Sequence, residues 1–235
     1  MQNREKSFKS SAKKHQPRGL TILYEDQDII VIDKESGLLT MSTVKATNTT
    51  AYYRLTSYVK KGNMKSRNRI FIVHRLDKDT SGLLVFAKTE EAKQYLQDEW
   101  KSFKKKYYAV VCGMIPEQEG IIISYLTENS AHKVYSVNDA SKGKFAKTGF
   151  KVLKQTQKFS LLEIALYTGR KNQIRVHLEE KGFPVAGDKI YGSGDVRVKR
   201  LTLHAASLTI KHPYTKKEMT FESEVPAYFS SLVNR

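Results

Sequence analysis

Two short apolar runs constrain this chain more than anything else in it. Residues 70–73 (Ile-Phe-Ile-Val) and 83–87 (Leu-Leu-Val-Phe-Ala) are rich in β-branched and aromatic side chains, the composition of buried strands. Between them lie charged and small residues ending in Ser81-Gly82, which is turn chemistry. A strand therefore delivers Arg75 and Asp77 into a connecting loop, where reactive side chains are usually presented. The two are two positions apart, so on extended backbone they point the same way. Taken alone, such an Arg-x-Asp pair reads as an incidental surface ion pair, worth little.

The same alternation of apolar runs and turn residues continues on both sides. Strands are expected at 21–24 and 29–34, and at 107–112 with Tyr107, Ala109 and Val111 on one face. Others are expected at 121–126, 133–137, 146–155, 159–167 and 201–210. Their short spacing predicts hairpins and a largely antiparallel sheet. Helical spacing appears at 47–58, with Tyr52, Leu55 and Tyr58 on one face. A second helix is capped by Thr89, with Ala92, Leu96, Trp100 and Phe103 inward and Lys101 and Lys104, Lys105 and Lys106 at its C-terminal end. A third spans 172–181 with Ile174 and Leu178 inward and Gly182 closing it, and a short one spans 225–233. The fold class is α+β. Residues 1–19 hold six basic side chains against Glu5 and few apolar ones, so they read as a basic flexible arm. Residues 20–235 read as one domain.

The charge balance points to a polyanion. There are 41 Lys and Arg against 24 Asp and Glu, a formal net charge of +17. Segment 60–69 carries Lys60, Lys61, Lys65, Arg67 and Arg69 and reads as a phosphate-contacting stretch. Lys142, Lys144, Lys147, Lys151, Lys154 and Lys158 form a basic stripe further on. The single cysteine, Cys112, permits no intrachain disulfide. No apolar run approaches the roughly 20 residues a membrane helix needs, so a cytoplasmic protein with no membrane association is expected. There is no Walker-type Gly-Lys-Ser/Thr, no paired Cys and no His-Glu-x-x-His, so neither a cofactor nor a metal is expected. His74, His177, His204 and His212 lack ligand spacing and read as structural hydrogen-bonding groups or contacts to that polyanion.

The run His74-Arg75-Leu76-Asp77, followed by Thr80-Ser81-Gly82-Leu83-Leu84, closely resembles the signature of the RluA-like RNA pseudouridine synthases, His-Arg-Leu-Asp-x-x-Thr-Ser-Gly-Leu-Leu. The resemblance extends from about residue 22 to the end. Residues 105–113 are similar to that family's Lys-x-Tyr-x-Ala-x-Val-x-Gly strand, and 168–178 to its Thr-Gly-Arg-x-His-Gln-Ile-Arg-x-His motif, with Asn172 in place of the usual His. At 34–37, Glu35 stands where the family's first motif usually has Pro. Gly187-Asp188 through Tyr191-Gly192, and later Leu203-His204-Ala205, also match. The S4 domain common in that family has no counterpart here. The resemblance implies a catalytic domain with a long mixed, mainly antiparallel sheet, a central cleft and flanking helices. It implies Asp77 as the catalytic carboxylate, Tyr107 as an active-site aromatic and Arg175 as the partner of that carboxylate. It places His74, Arg75, Thr80, Gly169 and Arg170 among the substrate contacts.

The chemistry agrees with those residue types. Uridine becomes pseudouridine when the N-glycosidic bond breaks, the base rotates and C5 joins C1′, with no atom gained or lost. An ionised carboxylate beside C1′ and C2′ suits either attack on C1′ or removal of the C2′ proton. The expected substrate is structured ribosomal or transfer RNA, with no obligate protein partner. The rival readings are a catalytically inactive RNA-binding or RNA-folding protein and a glycosidase using Asp77 with Asp79.

Overall fold

Antiparallel strands dominate the structure, a computed structural model that describes residues 16–42, 49–63, 65–192 and 198–234. The chain divides into two compact units, Met1–Phe103 with Thr209–Ser223, and Lys104–Leu208 with Glu224–Arg235.

In the first unit β1 (Leu20–Glu25), β2 (Ile29–Lys34) and β4 (Ser81–Ala87) pair in that order, and the short β3 (Phe71–Ile72) also pairs with β4. All these pairings are antiparallel. Every residue of β4 is buried, which is why its sequence from Leu83 to Ala87 is continuously apolar rather than alternating. The hairpin between β1 and β2 turns on Asp26, whose Oδ1 accepts from the Asp28 and Ile29 amides. Helix α1 (Ala51–Lys60) begins where Thr50 accepts from Tyr53 N–H. It buries Ala51, Leu55 and Val59, leaving Tyr52 exposed, so its inward face is rotated from the expected one. Thr47 and Asn48 of that expectation lie outside the described residues.

Helix α2 (Glu90–Asp98) is capped by Thr89 as expected, packs on β4 and tightens into a 3₁₀ turn at Glu99–Lys101. Lys104, Lys105 and Lys106 do not follow it as a helix end. They open β5 (Lys104–Cys112), because the chain from there alternates buried and exposed as a strand does. The strand β11 (Glu218–Glu222) was not foreseen, and pairs with β10 (Leu203–Lys211). Residues 203–208 of β10 belong to the second unit and 209–211 to the first.

In the second unit the order is β10, β5, β9 (Phe159–Leu166), β8 (Lys144–Gln155), β6 (Glu119–Glu128) and β7 (Val134–Val137). The pairs from β5 through β7 are antiparallel. Their registers put Tyr107, Ile164, Phe150, Ala146 and Leu126 on one face. Helix α3 (Gln173–Glu180) covers that face, with Val176 packed among Leu126, Val134 and Ala146. The short α4 (Ala227–Leu232) lies on the opposite face, where Phe229 meets Val110 and Phe159.

Candidate active site

The first unit supplies the loop that carries Asp77. Its backbone is fastened along most of its length. Leu76 N–H donates to Thr40 Oγ1 at 3.2 Å, and Thr40 donates to the Leu76 carbonyl at 2.8 Å. Gly37 N–H reaches the Lys78 carbonyl at 2.9 Å and Ser36 Oγ the Asp79 carbonyl at 2.7 Å. Thr80 N–H closes the turn on the Asp77 carbonyl at 3.2 Å. Gly37 sits at φ +88°, a region open chiefly to glycine, which brings its amide into reach.

Beneath the loop lies Lys34, fully buried at the end of β2. Its ammonium donates to the carbonyls of Glu35, Leu38 and Lys78 at 3.0, 2.9 and 3.1 Å. A buried charge is tolerable only when its donors are met, and here main-chain oxygens meet them. We expect Lys34→Met to lower stability by about 3 kcal/mol, since it strands buried carbonyls and cuts the loop loose from β2. A urea midpoint equal to wild type would contradict that role.

Among the side chains expected to touch substrate, Arg75 is exposed and Asp77 half-buried. His74 is engaged within the fold: its ring stacks on Trp100 with centroids 4.1 Å apart, and Nε2 accepts from Val85 N–H at 3.2 Å. It ties the loop to β4. Thr80 is buried and its Oγ1 has no hydrogen-bond partner among the described residues.

The second unit carries Tyr107 and Arg175, both buried, on the α3 face of the sheet. Arg175 is held from several directions. Its Nε and Nη2 form a fork on Asp188, at 2.6 Å to Oδ2 and 2.8 Å to Oδ1. Nη1 donates to Asn172 Oδ1 at 3.1 Å, and the guanidinium lies 5.0 Å from the Tyr191 ring centroid. Asp188 also accepts from the Ile190 and Tyr191 amides. Burial pushes its carboxyl up, but the Arg175 fork and those amides outweigh that and hold it below the ordinary carboxylate range.

Asn172 now has a role. It stands at the start of α3 at φ +54°, a left-handed conformation that Asn adopts more readily than most residues. From there it accepts from Arg175 and donates to Tyr191 Oη at 3.2 Å.

Helix α3 is locked to the sheet by a buried polar chain. His177 bonds Ser124 through Nε2 at 3.0 Å and Thr148 through Nδ1 at 2.9 Å. Gln173 donates to Thr148 Oγ1, and accepts from Thr168 Oγ1 and the Arg170 amide. Burial pulls the His177 pKa down, favouring the neutral ring. The Thr168-Gly169-Arg170 turn thus leads into α3 with Gly169 exposed, and Arg170 Nε donates to the Phe145 carbonyl at 2.9 Å.

Sequence reading left several of these groups unassigned. Asp188 receives no role from the sequence, although a lone Asp after Gly187 in the matched stretch is the available signal. Lys34 ends an Ile-Ile-Val-Ile-Asp run, an unusual place for a lysine. Lys105 lies two positions before Tyr107 on the same strand face, where burial pushes its pKa down to about 8. The basic segment 60–69 contributes Lys61, Arg67 and Arg69 to a cavity of about 660 Å³ in the first unit, beside Lys88 and Glu25. Asp26, Asp28 and His212 each bring a ligand-type atom within 4.8 Å of the others. Asp26 there already accepts from Tyr24 Oη and two amides and bonds His212 Nε2, so the cluster serves as a turn anchor.

Residues 28–180 match the family described as RNA pseudouridylate synthase, and the chain belongs to that family of enzymes. It is similar to the uncharacterized RNA pseudouridine synthase YlyB of Bacillus subtilis (strain 168), 36% identical over 93% of this chain and 73% of that protein. Ribosomal large subunit pseudouridine synthase D of Nitrosomonas europaea is 36% identical over 91% of this chain and 64% of that protein. Among solved structures, human RNA pseudouridylate synthase domain containing 1 aligns with a TM-score of 0.71 at 26% identity, covering 88% of this chain and 84% of that one. The α+β class with its mainly antiparallel strands is therefore as expected. Among the described residues no helix is long and apolar enough to cross a membrane.

Proposed function

We propose that this chain converts specific uridines in structured cytoplasmic RNA, ribosomal or transfer, to pseudouridine with Asp77 as the catalytic carboxylate. The observation that carries the reading is the bracing of residues 76–80: the backbone is fixed by Thr40, Ser36, Gly37 and Lys34 while the Asp77 side chain stays half-buried at the loop. Such preorganisation suits a group that must meet a sugar carbon at close range.

The target base leaves its stack to reach that carboxylate. Asp77 either attacks C1′ as the bond to N1 breaks, or takes the C2′ proton to leave a glycal. The freed uracil turns against the Tyr107 ring, and C5 bonds to C1′ as the Asp77–C1′ bond breaks or, from the glycal, as Asp77 returns the proton to C2′; C5 then loses its proton and N1 takes one up. Arg175 provides positive charge on the Tyr107 side, and Asp188 and Asn172 aim it. Exposed Arg75 suits the place the flipped base vacates, and Thr80, His74, Gly169 and Arg170 serve the substrate-facing loops. Lys61, Arg67 and Arg69 contact phosphates.

The test is incubation of the purified protein with ribosomal and transfer RNA transcripts, followed by carbodiimide labelling and primer extension. New stops at discrete uridines are expected. Their absence from every RNA, with RNA binding intact, would favour the non-catalytic binding protein; sugar release from glycans would favour the glycosidase.

A further inference from the structure

We propose that the sheet face of the second unit opposite α3 is a second RNA-binding surface, one that takes unpaired nucleotides by stacking. The strand registers bring Ile121 opposite Gly149, Ile123 opposite Lys147, Tyr125 opposite Phe145 and Thr127 opposite Tyr135. All of these side chains point away from α3, because their strand neighbours Ala146, Thr148 and Leu126 point toward it. Among the described residues, helix α4 packs on this face at β5 and β9.

The uncovered part is unusually apolar for solvent. Ile121 and Ile123 are each 57% exposed, Tyr167 48%, and Phe145 and Tyr135 43%. A contiguous patch of this kind marks an interaction site more often than chance exposure. Its rings are also arranged for stacking. Tyr167 lies across Gly149, where a Cβ would come within 3.1 Å of its Cε2, so the missing side chain seats the ring on the sheet. Tyr125 supports Phe145 edge-on, with centroids 6.0 Å apart. Rings laid on a sheet surface are how several single-strand binders hold bases.

Charge selects the occupant. Lys147 stands 4.8 Å from the Tyr167 centroid, in the middle of the apolar field. It and Lys151 belong to the basic stripe of β8 that the chemistry of uridine isomerisation does not use. The carboxylates on this face, Glu119 and Glu163, sit at its far end, opposite Lys151 in the register, and Glu163 is also bridged to Lys106 at 3.0 Å. A second copy docked through a two-fold axis would set this lysine-bearing face against itself, on a chain of net charge +17. Unpaired RNA offers bases to the rings and phosphates to the lysines.

The proposal concerns binding alone and stands apart from the catalytic reading. The probe is a fluorescein-labelled dodecauridylate, titrated by anisotropy against the full chain. Phe145→Ser with Tyr167→Ser is expected to weaken binding roughly tenfold or more, the scale of losing stacked bases. Phe145→Tyr with Tyr167→Phe keeps both rings and should bind within about twofold of wild type. An RNA duplex of the same length, whose bases are already stacked, should not distinguish the variants. Ultraviolet crosslinking of wild type to the same oligonucleotide should recover peptides containing Phe145 or Tyr167, which decides the matter even if the serine variant unfolds. Equal affinity of the folded serine variant, or crosslinks confined to other peptides, would overturn the proposal. Sedimentation showing a dimer that the serine variant dissolves would overturn it in favour of a contact between copies.

Discussion

Asp77→Asn is expected to remove turnover by roughly a thousandfold or more, the scale on which loss of a charge-stabilising group at a transition state is felt. Asn matches Asp in shape, and the loop is held through its backbone and Lys34, so its geometry should survive the change. What disappears is the anion beside C1′ and C2′, and with it both attack on the sugar and removal of its proton. Affinity should move by no more than about threefold, because phosphate contacts elsewhere carry it. Single-turnover pseudouridine formation at saturating enzyme, alongside filter binding of the same RNA, separates the two quantities. Near wild-type rates in the purified variant would remove Asp77 from the mechanism.

Asp188→Asn should be the most destabilising change at the Arg175 site, by about 3–5 kcal/mol, since it leaves a buried guanidinium facing a neutral amide. Both side chains are almost wholly withdrawn from water, at 9% and 0% exposure, so solvent screening offers little relief. Removing both partners, in Asp188→Asn with Arg175→Met, should cost less than the Asp188 change alone, because the guanidinium is then no longer buried without its carboxylate. The pH dependence has a definite sign. A carboxyl held below its ordinary range stabilises the fold fully above the unfolded value of about 3.9 and loses that contribution as pH falls through the folded one. Wild-type and Asp188→Asn stabilities should therefore differ most at neutral pH and converge in acid. Urea midpoints from pH 7 downward test this, and equal midpoints at pH 7 would show that the fork contributes nothing. Turnover should fall in Asp188→Asn as well, through a misaimed Arg175.

The strands were legible because their apolar runs are short and turn-bounded: β2, β4, β5 and β9 fall where residues 29–34, 83–87, 107–112 and 159–167 predict them. β11 escaped notice because Glu-Met-Thr-Phe-Glu is an exposed edge segment with no apolar run. The inward face of α1 was misread because aromatic tyrosines weigh heavily in a helical pattern, yet a half-exposed helix buries whichever small and aliphatic residues its neighbour demands. The Asp77 loop was visible through its motif. The groups that brace it were not, because Lys34, Ser36, Gly37 and Thr40 act through main-chain atoms 36 to 44 residues away, and backbone contacts leave no trace in side-chain periodicity. Asp188 and Arg175, 13 apart, meet only because β-structure and α3 fold around them.

The backbone fastening of residues 76–80 has an evolutionary corollary. Since the loop is gripped by its carbonyls and amides, the exposed side chains at Arg75, Lys78 and Asp79 carry little of its shape. Changes at those positions, at Arg75 most directly, alter what the loop presents to a nucleic acid without shifting Asp77. With Asp77 in its proposed role, new target preferences can accumulate one substitution at a time around an unchanged carboxylate. A library randomised at those three positions should yield variants that keep their fold while their preferred uridines diverge.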